Sequence, residues 1–133
     1  MMDPDKSLYL RLGGYDAIAA FSDDLLRRLR SDPKLGVYWK GMCNAAFNKH
    51  RQLLVEFLSQ VSGGPVQYTG MDMKTSHTGL GITDDEWDVF VKIATATLDD
   101  LGVPEREKAD FLACAGGLKG DIVEIGRAVA MQA

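Results

Sequence analysis

The sequence predicts a small all-α domain, and three observations support this fold class. Apolar residues recur at three- and four-residue intervals through most of the chain, which is the spacing of one face of a helix. No stretch shows the alternation of apolar and polar residues that is typical of a half-buried strand. The 133 residues are 46% hydrophobic and 26% charged, which fits one globular domain with a single core.

Two long helices and a short one between them are expected in the first half of the chain. One runs from Tyr15 to Arg30, after a glycine pair that permits a sharp corner, and Asp32-Pro33 then indicates the N-cap and first turn of a short helix. The other runs from Ala45 to Val61 and ends before Gly63-Gly64-Pro65. One face of this second helix carries Phe47, His50, Leu54, Phe57, Leu58 and Val61.

Two more helices are expected in the second half. Thr83-Asp84-Asp85-Glu86 matches a capping box and opens a helix that Gly102 ends. Pro104 starts the last helix, and its inward face is expected to carry Phe111, Leu112, Ala115, Leu118, Ile122 and Val123. Because only a short turn joins these two helices, they should pack as an antiparallel pair.

Composition argues against several functional classes. The net charge of −4 argues against nucleic acid as a partner, because a binding face needs clustered Lys and Arg. No apolar run is long enough to span a bilayer, and the N-terminal residues lack the features of a secretory signal, so we expect a cytoplasmic protein without a membrane partner. Cys43 and Cys114 are expected to be free thiols. With two histidines and no paired cysteines, any bound metal would have to bring most of its own ligands.

Each of the two histidines allows two interpretations from the residue pattern alone. His50 lies on an otherwise apolar helix face. It is there either as a partly buried side chain bonded to a backbone carbonyl or as a polar group pointed into an apolar pocket. His77 lies between the glycine-rich segment 62–70 and the capped helix, where it is either a surface-loop residue or a metal ligand.

Four sequence blocks, in a fixed order, carry a family resemblance. They are Ser7-Leu8-Tyr9-x-Arg11-Leu12-Gly13-Gly14; Phe57-Leu58 followed by Gly63-Gly64-Pro65; Tyr68-Thr69-Gly70-x-Asp72-Met73-Lys74-x-x-His77-x-Gly79-Leu80-Gly81-Ile82-Thr83; and Leu98-x-x-Leu101-Gly102-Val103-Pro104. Together they resemble the truncated haemoglobins, group I in particular, over roughly residues 7 to 123. The resemblance implies a truncated globin fold, a two-over-two helical sandwich around haem b (iron protoporphyrin IX).

The resemblance also implies roles for both histidines. His77 becomes the proximal ligand to the haem iron, on a helix of about one turn, and its other ring nitrogen donates to a backbone carbonyl. His50 takes the ligand-facing position on the distal helix, where its N–H would stabilise bound oxygen, which carries partial negative charge. Two alternatives for His50 remain, namely a swing toward solvent and direct binding to the iron as its sixth ligand.

The expected distal pocket departs from the family in one respect. Leu26 stands where many group I members have a tyrosine that points at the bound ligand. Together with Leu54, one turn after His50, it makes a distal pocket that resembles that of a myoglobin more than that of a typical truncated haemoglobin.

Further residues are implied as contacts of the haem itself. An aromatic ring is expected against the porphyrin, from Trp39 and its neighbour Tyr38, or from Phe47. Lys74 and Tyr68 are the favoured partners of the haem propionates. The other residues expected at the pocket are Met73, Ser76, Leu80, Ile82, Phe90 and Ala115.

The implied function is reversible binding of diatomic gases, oxygen first and also carbon monoxide and nitric oxide, at ferrous iron. A nitric oxide dioxygenase is the enzymatic alternative, and it needs a separate reductase because the sequence has no flavin or nicotinamide motif. A redox or gas sensor with His50 as an internal iron ligand is the third hypothesis. We expect a single domain over residues 1–133, as a monomer or weak dimer, with 1–6 as an N-terminal extension and 124–133 as the end of the last helix or a frayed tail.

Overall fold

The helices follow the apolar spacing of the sequence. A computed structural model describes residues 7–125, and its elements are α1 (Leu8–Leu12), α2 (Gly14–Ser31), a 3-10 helix (Gly36–Trp39), α3 (Asn44–Val61), α4 (Met73–His77), α5 (Asp84–Asp100), α6 (Glu105–Gly116) and α7 (Lys119–Ile122). Within this range no helix is both long enough and apolar enough to cross a bilayer. The prediction of an all-α fold is confirmed.

Helix α2 lies at the centre of the core. It packs against α3 and α5, and α5 in turn packs against α6. The apolar face predicted for α2 is buried, and the ring of Phe21 meets that of Phe111 edge-on, with centroids 5.0 Å apart. The buried apolar residues of these four helices are Ile18, Phe21, Leu25, Leu26, Leu29, Val55, Leu58, Trp87, Ala94, Leu98 and Phe111.

Helix α5 begins with the predicted capping box. The Thr83 hydroxyl accepts the Glu86 N–H at 3.1 Å, and the Glu86 carboxylate accepts the Thr83 N–H at 3.0 Å. These two bonds satisfy donors that a helix start would otherwise leave unpaired. The helix that follows the proposed iron ligand is therefore firmly fixed at its first turn.

Two connections differ from the sequence prediction. Asp32 is the C-cap of α2, and its carboxylate accepts the N–H groups of Lys34 and Leu35 at 2.8 and 3.0 Å, as the side chain of an N-cap does. Residues 33–35 nevertheless form a turn and not the first turn of a helix. The short helix then starts at Gly36 and is of the 3-10 type. The last predicted helix is divided into α6 and α7 at the Gly116-Gly117 pair, since each glycine costs a helix about 1 kcal/mol relative to alanine.

The end of the described chain returns to the start of α5. Glu124 and Ile125 leave the last helix and donate their N–H groups to the Ile82 carbonyl at 2.9 and 3.1 Å. Ile125 also forms an isolated parallel bridge with Thr83. The sequence predicts residues 124–133 as the end of the last helix or a frayed tail. Residues 124 and 125 instead pair with the segment before α5. Residues 126–133, like the expected N-terminal extension 1–6, lie outside the described residues.

Candidate functional site

Helix α4 is a single short turn that ends in His77. Its N-cap is Asp72, whose carboxylate accepts the Thr75 N–H at 3.2 Å. The Nδ1 atom of His77 lies 2.8 Å from the Met73 carbonyl and 3.0 Å from the Ser76 hydroxyl oxygen. A carbonyl oxygen only accepts hydrogen bonds, so Nδ1 carries the proton and Nε2 keeps its lone pair. A neutral imidazole in this form is a metal ligand through Nε2.

The loop after His77 is fixed from the far end of the chain. Gly79 and Gly81 have φ angles of 90° and 71°, which favour glycine. Both direct their N–H groups at the Glu124 carboxylate, at 3.0 Å from Gly79 and 2.7 Å from Gly81. The bonds from Gly79 and then Gly81 lower the pKa of Glu124. Sequence reasoning missed this residue, because it lies 45 positions from Gly79 in a segment expected to be a tail.

His50 is held by a different kind of partner. It lies half-buried on α3, and the Trp39 indole Nε1 donates to its Nδ1 at 3.1 Å. The two rings are stacked, with centroids 5.9 Å apart and planes inclined by 21°. An indole N–H only donates, so Nδ1 of His50 is unprotonated and the proton of the neutral ring is on Nε2.

The fold brings the two histidines near each other. Burial is the main cause that lowers the pKa of His50 from 6.5, and the charge of His77 lowers it further. Both causes favour the uncharged imidazole. At neutral pH His50 is therefore a neutral ring with its N–H at Nε2.

The expected distal and aromatic residues all have defined positions. Leu26 is a core residue and is only 2% exposed. Leu54 is partly buried and packs against the same core. The Tyr38 hydroxyl donates to the Glu86 carboxylate at 2.8 Å, and burial, together with this bond, raises the pKa of Tyr38 to about 12. The ring of Phe47 has the Arg30 guanidinium 4.6 Å from its centroid, whereas Trp39 stacks on His50.

The residues expected around His77 lie at different depths. The Tyr68 hydroxyl donates to the Met71 carbonyl at 2.6 Å, while Lys74 and Leu80 are exposed. Phe90 packs against the buried Trp87, with ring centroids 5.2 Å apart. The remaining expected pocket residues are half-buried, and they are Met73, Ser76, Ile82 and Ala115.

Comparison with known proteins identifies the family. A model of the bacterial-like globin family matches residues 7–123. A group 1 truncated hemoglobin from Nostoc sp. is 32% identical over 118 residues, covering 89% of this chain and 98% of the relative. The chain is a truncated haemoglobin. A group 1 truncated hemoglobin from Mycolicibacterium paratuberculosis is 29% identical over 87% of the chain and 83% of that relative.

Solved structures agree with this truncated haemoglobin in fold. The truncated hemoglobin from Tetrahymena pyriformis in its Fe(III) form has a TM-score of 0.81 at 23% identity, over 89% of this chain and 98% of that one. The 2/2 hemoglobin from Synechococcus sp., in the cyanomet state with covalently attached heme, gives the same TM-score and coverage at 21% identity.

The donor groups of this truncated haemoglobin fit a haem, which membership of the globin family implies. His77 turns Nδ1 to the Met73 carbonyl, which leaves Nε2 as the ring atom for iron, as a proximal ligand requires. His50 offers an N–H at its Nε2 in place of a second lone pair. The Nε2 atoms of the two imidazoles therefore differ, since that of His77 suits a metal and that of His50 suits a hydrogen-bond acceptor.

Proposed function

We propose that this protein binds haem b and, through it, reversibly binds diatomic gases, with oxygen as the primary ligand. The haem supplies the iron at which the gas binds. The observation that supports the proposal is the opposite protonation of the two imidazoles: Nδ1 of His77 donates to a carbonyl, and Nδ1 of His50 accepts from an indole. One ring is thereby suited to hold iron and the other to donate to a ligand.

The distal side has one polar group among the three residues that the family resemblance assigns to it. Leu26 and Leu54 have no donor, so His50 alone can stabilise a ligand that carries partial negative charge. A hydrogen bond of this charge-assisted kind contributes about 1.5–3 kcal/mol. That corresponds to roughly a ten- to hundredfold slower release of the ligand.

The test is the optical spectrum of the haem-loaded protein after anaerobic reduction with dithionite, before and after addition of carbon monoxide. We expect a single broad visible band that splits into two with carbon monoxide, which indicates an iron held by His77 with an open ligand position. Two sharp bands already present without carbon monoxide would contradict the proposal, because they would indicate an internal sixth ligand. Failure to take up haem would contradict it entirely.

A further inference from the structure

We propose that Trp39 is a positioning residue that keeps His50 a hydrogen-bond donor and prevents it from binding the haem iron. This inference rests on the proposed function and deepens it, because it assigns a cause for the open ligand position. It depends on the bond between the indole Nε1 and Nδ1 of His50, at 3.1 Å, and on the stacking of the two rings.

The chemistry of the bond is one-directional. An indole nitrogen has a proton and no acceptor lone pair, so it can bond to Nδ1 of His50 only while Nδ1 is unprotonated. A neutral imidazole that binds iron through Nε2 must have its proton on Nδ1 instead. The bond from Trp39 and the coordination of iron by Nε2 of His50 therefore exclude each other.

Breaking the bond between Trp39 and His50 also costs free energy at Trp39. Its indole ring is half-buried against His50, so the freed N–H would lose its partner in a partly apolar setting. The 3-10 helix that carries Trp39 is also held in place, because Tyr38 donates to Glu86 in the capping box of α5. Trp39 is therefore not free to follow a His50 ring that turns away from it.

His77 provides the reference case within the same molecule. Its Nδ1 faces the Met73 carbonyl, an obligatory acceptor, and the lone pair is consequently at Nε2. The same ring atom of His50 faces an obligatory donor. Opposite partners at Nδ1 thus assign opposite roles to two otherwise identical side chains.

The first experiment is Trp39→Phe, which keeps an aromatic ring on His50 and removes the N–H. In the dithionite-reduced variant we expect the two sharp bands of an internally coordinated iron to appear. The ratio of coordinated to free His50 should rise about fivefold, the factor that corresponds to one typical hydrogen bond. The double variant Trp39→Phe/His50→Leu should lose these bands again, which identifies His50 as the sixth ligand.

Trp87→Phe is the matched control, because it makes the same chemical change at the chain's other tryptophan, which packs against Phe90. It should leave the wild-type coordination unchanged. If Trp39→Phe has the wild-type spectrum, both without ligand and with carbon monoxide, Trp39 has no such role. That outcome leaves the proposed function intact, whereas sharp bands in the wild-type protein itself would contradict the proposed function.

A second measurement needs no variant and decides the question if Trp39→Phe fails to retain haem. Nitrogen-15 NMR of the wild-type carbon monoxide complex, which is diamagnetic, distinguishes protonated from unprotonated ring nitrogens. We expect Nδ1 of His50 to be unprotonated and Nε2 to carry the proton. The reverse assignment would overturn the inference.

Discussion

The proximal and distal sides of the site hold their histidines by different means. On the proximal side the partner of His77 is a main-chain carbonyl of its own helix, one turn earlier. On the distal side the partner of His50 is the side chain of Trp39, which lies on a separate element. Substitution of Met73 leaves its carbonyl in place, whereas substitution of Trp39 removes the donor outright.

This difference indicates how sensitive each histidine is to substitution of its hydrogen-bond partner. The proposed iron ligand, His77, is oriented by a backbone carbonyl that substitution of the Met73 side chain leaves in place. The distal group depends on one side-chain pair, so a single substitution can change it from donor to ligand. Variants of this chain can therefore change the distal group while keeping the proposed iron ligand.

The largest expected effect comes from removing the proximal ligand. His77→Ala should abolish stable haem retention, because it removes the imidazole that we propose as the iron ligand. The measurement is the haem content per chain after gel filtration. In His77→Gly, added imidazole should restore haem binding. A His77→Ala variant with stoichiometric haem and an unchanged ferrous spectrum would show that His77 is not the ligand.

The next effect comes from the distal donor. His50→Leu should leave haem bound but speed oxygen dissociation about tenfold or more, the size of one charge-assisted hydrogen bond. Stopped-flow mixing of the oxygen complex with carbon monoxide measures this rate. Rates within about twofold of the wild type would remove His50 from the stabilising role, since a lost bond of this kind exceeds that change.

A smaller effect is expected at the carboxylate that holds the proximal loop. Glu124→Ala removes the acceptor of the Gly79 and Gly81 N–H groups and should speed haem loss to excess apomyoglobin on the order of threefold, since the bonds are solvent-exposed. Glu124→Gln keeps an acceptor oxygen and should give an intermediate rate. An unchanged rate in both variants would mean that the loop keeps its form without this contact.

The smallest effect is expected at Ser76. Its hydroxyl oxygen lies 3.0 Å from Nδ1 of His77, but the Met73 carbonyl is closer, at 2.8 Å, and suffices to orient the ring. Ser76→Ala should therefore change the iron–histidine stretching frequency little and the rate of haem loss by less than about twofold. A large change in either would show that a side chain, and not the backbone alone, orients the proximal ligand.

The sequence predicts those parts of the molecule that depend on residues close together in the chain. The helix face of α2 and the capping box at Thr83 are set by local spacing and are present as predicted. The face predicted for α3 is correct only in part, because Val61 is exposed whereas Val55 and Ser59, which lie outside the predicted set, are buried. The division of the last helix at Gly116-Gly117 was not predicted, because the apolar spacing continues across the pair.

Contacts between distant segments account for what sequence reasoning missed at the site. The sequence predicts Trp39 against the porphyrin. Its bond to His50 joins two separate elements, the 3-10 helix and α3, so it depends on the tertiary arrangement. The role of Glu124 follows from a chain reversal that no local spacing encodes. Both cases need the tertiary arrangement, whereas the short helix of His77 could be expected from the family resemblance.

The pairing of Glu124 and Ile125 with the segment before α5 affects the order in which the parts of a newly made chain take their final form. Synthesis runs from the N-terminus, so Trp39, His50 and His77 leave the ribosome well before Glu124. The loop after His77 acquires its final contacts only when the segment with Glu124 and Ile125 arrives, because that segment supplies the carboxylate that accepts the Gly79 and Gly81 N–H groups. The loop beside the proposed iron ligand is thereby among the last parts of the described chain to take its final form.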